Sequence, residues 1–229
     1  CAILGPESRQ SHSQDMDSQS SGKTTEYEDE LARLTLGDMG PLGDTYADYC
    51  GQAINVFGGI PGEVVIARIF RLRRRRTISA MVTEVVVPSP HRVTPPCPYF
   101  GPCSGCQWQH MDYPFQLSLK QDAVQQQLDR HAELRHVSVL PTRPSPQLFN
   151  YRNHARFSVR AQGFLGFSNR ITRRFVRIDE CMLMDPGIND ALGVLQGKCR
   201  ETTSISVRYG VNTGDRLIQP TLHSPEISV

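Results

Sequence analysis

The interpretation of this sequence depends on the stretch Cys97-Pro-Tyr-Phe-Gly-Pro-Cys103-Ser-Gly-Cys106. Two cysteines separated by two residues can direct both sulfurs at one centre, and Gly101 and Gly105 ease the turn because glycine tolerates positive φ. The chain has 7 cysteines, an odd number, and no recognisable export signal, which together disfavour a disulfide scaffold. The stretch therefore predicts a metal centre on Cys97, Cys103 and Cys106.

The spacing of the cysteines leaves three identities open for this centre. Structural zinc prefers paired knuckles of two cysteines each, and only one such pair is present. The longer gap between Cys97 and Cys103 is typical of the uneven spacings that wrap an iron–sulfur cluster, while free cysteines are often simply buried. The spacing favours the cluster first, zinc second and buried thiols third. The candidates for a fourth ligand are Cys1, Cys50, Cys181 and Cys199. Cys181 is favoured because it lies between a predicted strand and a predicted helix.

The first 90 residues divide at about residue 30. Residues 1–30 are rich in Ser, Gln, Asp and Glu and cannot bury enough apolar surface to offset the entropy of ordering, so we expect them to be disordered. Residues 31–90 contain short β-branched runs separated by glycine and proline turns, which is typical of a small β-barrel. Five arginines between two predicted strands form either a solvated hairpin tip or a contact to RNA phosphates. They are Arg71, Arg73, Arg74, Arg75 and Arg76.

Residues 91–229 predict a small α+β unit. Helices are expected over about residues 115–131 and 187–195. Alternating or β-branched runs predict strands at 155–159, 164–167, 174–178, 205–209 and 217–222. Arg152 and Arg156 are predicted to share one strand face, which contacts either RNA or solvent.

The net charge of +2 conceals an asymmetry along the chain. Residues 1–50 carry a net charge of −7 (three basic and ten acidic residues), so the remainder carries +9, and nearly all of its basic residues are arginine. The guanidinium group of arginine binds phosphate at two points and stacks on bases. The charge of this part of the chain therefore suits either a nucleic-acid-binding protein or an ordinary arginine-rich soluble protein. No run of 18 apolar residues is present, so we expect no membrane association and a cytoplasmic location.

The cysteine stretch, continued by Gln107-Trp108-Gln109-His110, resembles the cluster signature of the RNA (uracil-5-)-methyltransferases. The likeness is greatest to those that make 5-methyluridine in 23S ribosomal RNA. Residues 60–95 resemble the TRAM domain of that family, an OB-like RNA-binding barrel, and residues 151–167 resemble its central domain. The resemblance places the fourth ligand of a [4Fe–4S] cluster at Cys181. Ser104 stands where the family usually has glycine, and serine still permits a tight turn.

The resemblance implies the RNA-recognition and [4Fe–4S]-binding N-terminal part of an S-adenosylmethionine-dependent 23S rRNA (uracil-C5)-methyltransferase. We recognise no counterpart of the family's glycine-rich cofactor loop, nucleophilic cysteine or general base. We therefore expect the Rossmann-like catalytic domain, and S-adenosylmethionine with it, to be absent from the chain, and we assign no catalytic residue.

The fold class expected is thus α+β, with an OB-like barrel followed by an iron–sulfur unit. Its partner is expected to be ribosomal rather than transfer RNA, and the protein to be a monomer. The alternative is a free-standing iron–sulfur or zinc RNA-binding module.

Overall fold

The computed structural model describes residues 3–4, 30–72 and 77–222. The chain divides into two compact units, and each is described by itself. The first unit comprises Cys1–Val93 and His110–Val137, and the second comprises Thr94–Gln109 and Ser138–Val229. The segment with three cysteines therefore belongs to the second unit, although it lies within the sequence between two parts of the first.

The first unit is built on a six-stranded mixed sheet. Its strands are β1 (Ile3–Leu4), β2 (Leu31–Thr35), β3 (Thr45–Tyr49), β4 (Gln52–Phe57), β5 (Val64–Leu72) and β6 (Thr77–Val87). They lie in the order β1-β2-β5-β6-β4-β3. All neighbours are antiparallel except β4 and β6, which pair in parallel from Asn55 with Ser79 to Phe57 with Met81.

Alternation of buried and exposed side chains explains why these segments form strands. In β3, Thr45, Ala47 and Tyr49 are buried while the residues between them are exposed. A two-residue turn joins β3 to β4, and Cys50 and Gly51 both have positive φ there, as a hairpin with matching twist requires. The inward residues of five strands therefore form one apolar core, which includes Leu34, Ile54, Val65, Ile69 and Ala80.

A buried ion pair closes one end of this sheet. Glu63 is fully buried, and its carboxylate accepts hydrogen bonds from Arg92 Nε and Nη2, both at 2.6 Å. The backbone N–H groups of Ile60 and Ser89 donate to the same carboxylate at 2.9 and 3.0 Å. Four donors therefore compensate the desolvation of this carboxylate, which would otherwise oppose folding.

The first unit also contains helix α1 (Tyr113–Asp129). Asp112 caps its start, where its carboxylate accepts a hydrogen bond from the N–H of Phe115 at 2.8 Å, and Pro114 follows at a position where a missing N–H costs nothing. None of the residues of α1 is buried. No helix in the described part of the chain is long and apolar enough to cross a membrane.

The second unit is built on a five-stranded antiparallel sheet. Its strands are β7 (His154–Arg160), β8 (Phe164–Ser168), β9 (Phe175–Arg177), β10 (Thr202–Tyr209) and β11 (Arg216–Leu222), in the order β11-β10-β7-β8-β9. Helix α2 (Pro186–Leu195) packs on one face of this sheet. Its buried residues Ile188, Ala191 and Leu192 meet Phe157 of β7 and Val207 of β10 in a second apolar core.

Residues 31–90 form the strands β2 to β6 of the mixed sheet. The chain after β2 also approaches β3, where the N–H of Gly37 donates to the carbonyl of Tyr46 at 2.7 Å. The expected β-barrel stays a prediction. Short β-branched runs predicted the strands but not their pairing, because pairing depends on contacts between distant segments. Residues 1–30 were expected to be disordered. Apart from Ile3, Leu4 and Glu30, this segment lies outside the described residues. The cysteine segment belongs to the second unit, in line with the predicted bounds 91–229, whereas residues 110–137 with α1 belong to the first. The RNA-binding and iron–sulfur character of the two parts stays a prediction.

Candidate metal centre and basic side chains

The segment from Cys97 to Cys106 is a compact loop held by its own backbone. The N–H of Phe100 donates to the carbonyl of Cys97 at 3.1 Å, and the N–H of Cys103 donates to the carbonyl of Tyr99 at 2.8 Å. Gly101 has a φ of 94°, a conformation that glycine adopts without steric cost. These turns bring the three cysteines of the loop back toward one another.

Side chains of the second unit hold this loop from outside. Asn169, which is buried, donates from Nδ2 to the carbonyl of Pro102 at 2.8 Å. The N–H of Arg170 donates to Ser104 Oγ at 2.8 Å. Ser104, noted from the sequence as a departure from glycine, thus supplies an anchor between the loop and the turn after β8. Glycine could not make this contact.

Gln109 bonds to two of the cysteines. Its Oε1 accepts a hydrogen bond from the N–H of Cys97 at 3.3 Å, and its Nε2 donates to Cys106 Sγ at 3.1 Å. A single amide side chain therefore fixes both ends of the loop. An N–H donor aimed at a cysteine sulfur also favours the thiolate that a metal would need.

Cys181 lies between β9 and α2, and Asn189 of α2 holds its backbone. The N–H of Cys181 donates to Asn189 Oδ1 at 3.0 Å, and Asn189 Nδ2 donates to the carbonyl of Cys181 at 3.1 Å. Nearby, Tyr99 of the cysteine loop accepts a hydrogen bond from the N–H of Asp179 at 3.1 Å. The loop and the Cys181 segment are thereby tied together.

The four sulfurs predicted as ligands are close enough to influence one another. Burial raises the pKa of the Cys103 thiol, and Cys181 and Cys97 raise it further. Burial likewise raises the pKa of Cys106, with added contributions from Cys181, Cys103 and Cys97, although the hydrogen bond from Gln109 opposes them. Like charges raise each other's pKa only at short range. The fold therefore places Cys181 near the thiols of the cysteine loop.

The gathered thiols do not form a finished coordination sphere. Among the described residues, no group of three or more His, Cys, Asp or Glu side chains is arranged to hold a metal ion. Cys97, Cys103, Cys106 and Cys181 are free and partly buried. Cys199 is free and buried, and its thiol donates to the carbonyl of Leu195 at 3.4 Å. Cys50 is bonded in a disulfide. Of the candidates for a fourth ligand, Cys181 interacts with the cysteine loop, since it raises the pKa of Cys103 and of Cys106.

The arginines predicted to bind RNA have different environments. Arg71 donates to Glu30 Oε2 at 2.8 Å and to Tyr49 Oη at 3.2 Å. Its guanidinium group is therefore partly engaged in contacts within the protein. Arg73, Arg74, Arg75 and Arg76 lie outside the described residues. Arg152 is exposed just before β7, and Arg156 is exposed on β7, where its Nη2 donates to Ser204 Oγ at 3.3 Å. A role in RNA binding stays a prediction for all seven.

Comparison with known proteins gives the class to which these features correspond. No protein-family model matches the chain. The chain is 30% identical over 186 residues to an uncharacterised RNA methyltransferase of Gloeobacter violaceus, which covers 73% of this chain and 40% of that protein. It is 32% identical over 164 residues to an uncharacterised RNA methyltransferase of Aquifex aeolicus, with coverages of 72% and 38%.

One relative has a more specific description. The 23S rRNA (uracil(1939)-C(5))-methyltransferase RlmD of Alkalilimnicola ehrlichii is 35% identical over 181 residues, covering 76% of this chain and 40% of that protein. The homologues of this chain are therefore RNA methyltransferases, and they include a uracil-C5 enzyme. The chain spans about two fifths of the length of these curated relatives.

A solved structure shares the fold. It is the tRNA (uracil-54, C5)-methyltransferase of Pyrococcus abyssi in complex with S-adenosyl-L-homocysteine, with a TM-score of 0.54 and 21% sequence identity. The match covers 86% of this chain and 47% of that chain. At 21% sequence identity, this match shows that the two proteins share a fold and shows nothing about a shared function.

The match overturns the expected fold class, in which the methyltransferase fold was absent. The solved methyltransferase matches 86% of this chain. The observed fold, with its mixed sheet and two helices, is therefore one that occurs in a methyltransferase. The expectation relied on finding no counterpart of the family's glycine-rich cofactor loop, nucleophilic cysteine or general base. That observation does not decide which fold the strands adopt, because strand order is set by pairing between distant segments.

Proposed function

We propose that this chain holds RNA and carries a [4Fe–4S] cluster within an S-adenosylmethionine-dependent enzyme that methylates C5 of uracil in 23S ribosomal RNA. The observation that carries this proposal is the approach of Cys181 to a cysteine loop from which it is separated by 75 positions in the sequence. Homology to RNA methyltransferases supports the reaction class.

The number and chemical type of the cysteines support an iron–sulfur cluster, although their side chains do not form a finished coordination sphere. Four thiols from two segments supply the ligand set of a [4Fe–4S] cluster, and soft sulfur ligands suit iron–sulfur chemistry. Hydrogen bonds from Gln109 and Gly105 reach Cys106 and Cys103, as expected around cluster sulfurs. A bound cluster would supply a covalent tie between the loop and the Cys181 segment, so we assign it a structural role.

The relatives indicate the substrate and the methyl donor. The RlmD relative is described as acting on a uracil of 23S rRNA, and the Pyrococcus abyssi enzyme was solved with S-adenosyl-L-homocysteine, the demethylated form of the usual methyl donor. In this chain, the exposed guanidinium groups of Arg152 and Arg156 are suited to hold RNA phosphates. We extend the same role to the arginines of the 71–76 segment.

The cluster is tested by purifying the chain under anaerobic conditions and measuring iron, sulfide and zinc together with absorption near 400 nm. We expect about four irons and four sulfides per chain and a broad visible band. Cys181→Ser should lose most of the iron, whereas Cys199→Ser, which changes a buried thiol outside the set, should keep it. Stoichiometric zinc without sulfide would favour the zinc-binding alternative and refute the cluster.

Methyl transfer is tested on the full product of the gene that encodes this chain. The substrate is 23S rRNA transcribed with uridine tritiated at C5, and release of tritium to water reports substitution at that carbon. We expect release that depends on S-adenosylmethionine. Methyl incorporation without tritium release would place the methyl group elsewhere and refute C5 as the target.

A further inference from the structure

The second sheet has one face covered by α2 and one face open. On the open face, alternate residues of β7 and β10 lie side by side, with His154 opposite Arg208 and Arg156 opposite Ser206. We use the name open face for His154, Arg156, Arg160, Ser204, Ser206 and Arg208. The three arginines and His154 are exposed, and the serines are partly exposed.

The charge of the open face is of one sign. The strands β7, β10 and β11 contain no aspartate or glutamate over their full described lengths. Basic side chains directly opposite each other repel when both are charged, so the pairing of His154 with Arg208 does not serve sheet stability. Three arginines with interspersed hydroxyl groups instead match the groups that contact RNA phosphates and sugars.

A cleft of about 340 Å³ lies at one end of the open face. His154 and Arg208 line it, together with Asn153 and Leu217, and Leu217 is 62% exposed. Asp215 is the one carboxylate in its wall. The cleft thus combines cations, an amide and an apolar surface, and its volume is at the lower end of the range for small-ligand sites.

Arg208 and Arg216 differ in their availability for a ligand. Arg216 lines the same cleft but donates to the carbonyl of Gly187 at 3.1 Å and to Asp190 Oδ2 at 3.0 Å. Its guanidinium also lies 5.7 Å from the centre of the Tyr209 ring. Arg216 therefore braces the wall of the cleft against α2, while the exposed Arg208 faces the open side of the sheet.

We propose that the open face is a track for single-stranded RNA and that the cleft at its end takes one unstacked nucleotide. The inference rests on the proposed function and adds His154, Ser206 and Arg208 to its RNA contacts. Arg208 and His154 hold the phosphate, while Asn153 and Leu217 meet the base. Single-stranded RNA is the occupant because an unstacked base can enter a cleft of this size, whereas a duplex keeps its bases stacked.

Binding of a fluorescein-labelled oligouridine, measured by anisotropy over a range of salt concentrations, tests this track. Arg208→Gln should weaken binding about tenfold and lower the slope of log affinity against log salt by about 0.7, the value for one lost phosphate contact on a single strand. Ser206→Glu, which adds a negative charge without removing any packing, should weaken binding by a similar factor. Arg143→Gln removes an exposed arginine outside the sheet and should change binding by less than about twofold.

Each other outcome contradicts a specific part of the proposal. If the unmodified chain binds oligouridine and both open-face variants bind equally well, the track is wrong while the proposed function stands. If a blunt RNA duplex binds as tightly as oligouridine, and Arg208→Gln and Ser206→Glu weaken the binding of both RNAs equally, the preference for single strands is wrong. If the unmodified chain binds neither RNA, the track and the proposed RNA-holding function are both wrong. Circular dichroism and thermal unfolding of each variant establish that it is folded.

Discussion

The side-chain amide of Asn189 brackets the backbone of Cys181, accepting from its N–H at 3.0 Å and donating to its carbonyl at 3.1 Å. Asn189 belongs to α2, whose apolar side packs into the core of the second unit. The backbone of Cys181 is therefore held by a helix as well as by its own segment, in which the N–H of Met184 donates to the Cys181 carbonyl at 3.0 Å. This makes Asn189 a positioning residue for the candidate metal centre.

Asn189→Ala should loosen the centre without removing a ligand. Partners of metal ligands typically contribute ten- to a hundredfold to metal affinity, so we expect iron to be lost to a chelator about tenfold faster than from the unmodified chain. Asn212→Ala, a change at an exposed position of the same unit, serves as the control. Equal rates of iron loss in the two variants would contradict the positioning role.

Glu63→Gln should destabilise the first unit strongly. The change leaves Arg92 beside a neutral amide in a buried site, and breaking a buried ion pair from one side costs about 3 to 5 kcal/mol. Urea unfolding followed by circular dichroism measures the loss of unfolding free energy. The control is Glu84→Gln, at an exposed position on β6, which should change stability by less than about 0.5 kcal/mol.

The same carboxylate predicts an acid sensitivity. Burial by itself raises the pKa of Glu63, but hydrogen bonds from Arg92 and from the N–H groups of Ser89 and Ile60 outweigh it, and the pKa lies below its usual value. A carboxyl whose pKa is lowered on folding stabilises the fold at pH values above its unfolded pKa, and loses that contribution as the pH falls through the folded pKa.

Unfolding free energy should therefore decline as the pH falls below about 4.5, the ordinary glutamate value. The decline should be shallower in Glu63→Gln, because that variant has no Glu63 proton to take up. Denaturant unfolding at a series of acidic pH values gives both slopes. Parallel slopes for the two proteins would show that Glu63 does not contribute to the acid sensitivity.

Replacement by alanine should change the stability of the second unit in opposite directions at two glycines, Gly163 and Gly193. Gly163 has a φ of 79°, and a Cβ there would lie 2.6 Å from the backbone nitrogen of Cys199, so Gly163→Ala should cost more than about 2 kcal/mol. Gly193 lies inside α2 with open space around its missing Cβ, so Gly193→Ala should stabilise by about 0.5 to 1 kcal/mol. Thermal unfolding distinguishes the two, and destabilisation by both would mean that α2 has no room at Gly193.

The sequence predicted both helices of the described residues, and its β-branched runs at 53–56, 63–69 and 77–85 predicted β4, β5 and β6. No such run marks β3. In Thr45–Tyr49, the buried positions are occupied by Thr45, Ala47 and Tyr49, which give a weak alternation, and Asp48 disfavours a strand. What makes the segment a strand is pairing with β4 across the turn at Cys50 and Gly51. A pattern of single residues does not contain that information.

The candidate site was predicted unevenly for a related reason. The grouping of Cys97, Cys103 and Cys106 is local, so the spacing alone revealed it. Arg208 was missed because its significance comes from lying opposite His154, which is 54 positions earlier in the sequence. Asn189 gave no signal either, since an asparagine within a helix is ordinary until its partner is known.

The parallel contact between β4 and β6 has a consequence for synthesis of the protein. The hairpin of β3 and β4 can close as soon as Phe57 leaves the ribosome, but the other edge of β4 has no neighbour until Met81 has emerged. During that interval the nascent chain presents an uncovered strand edge, which is a template for mispairing with other chains. We expect this edge to be the place where chaperones engage the growing polypeptide.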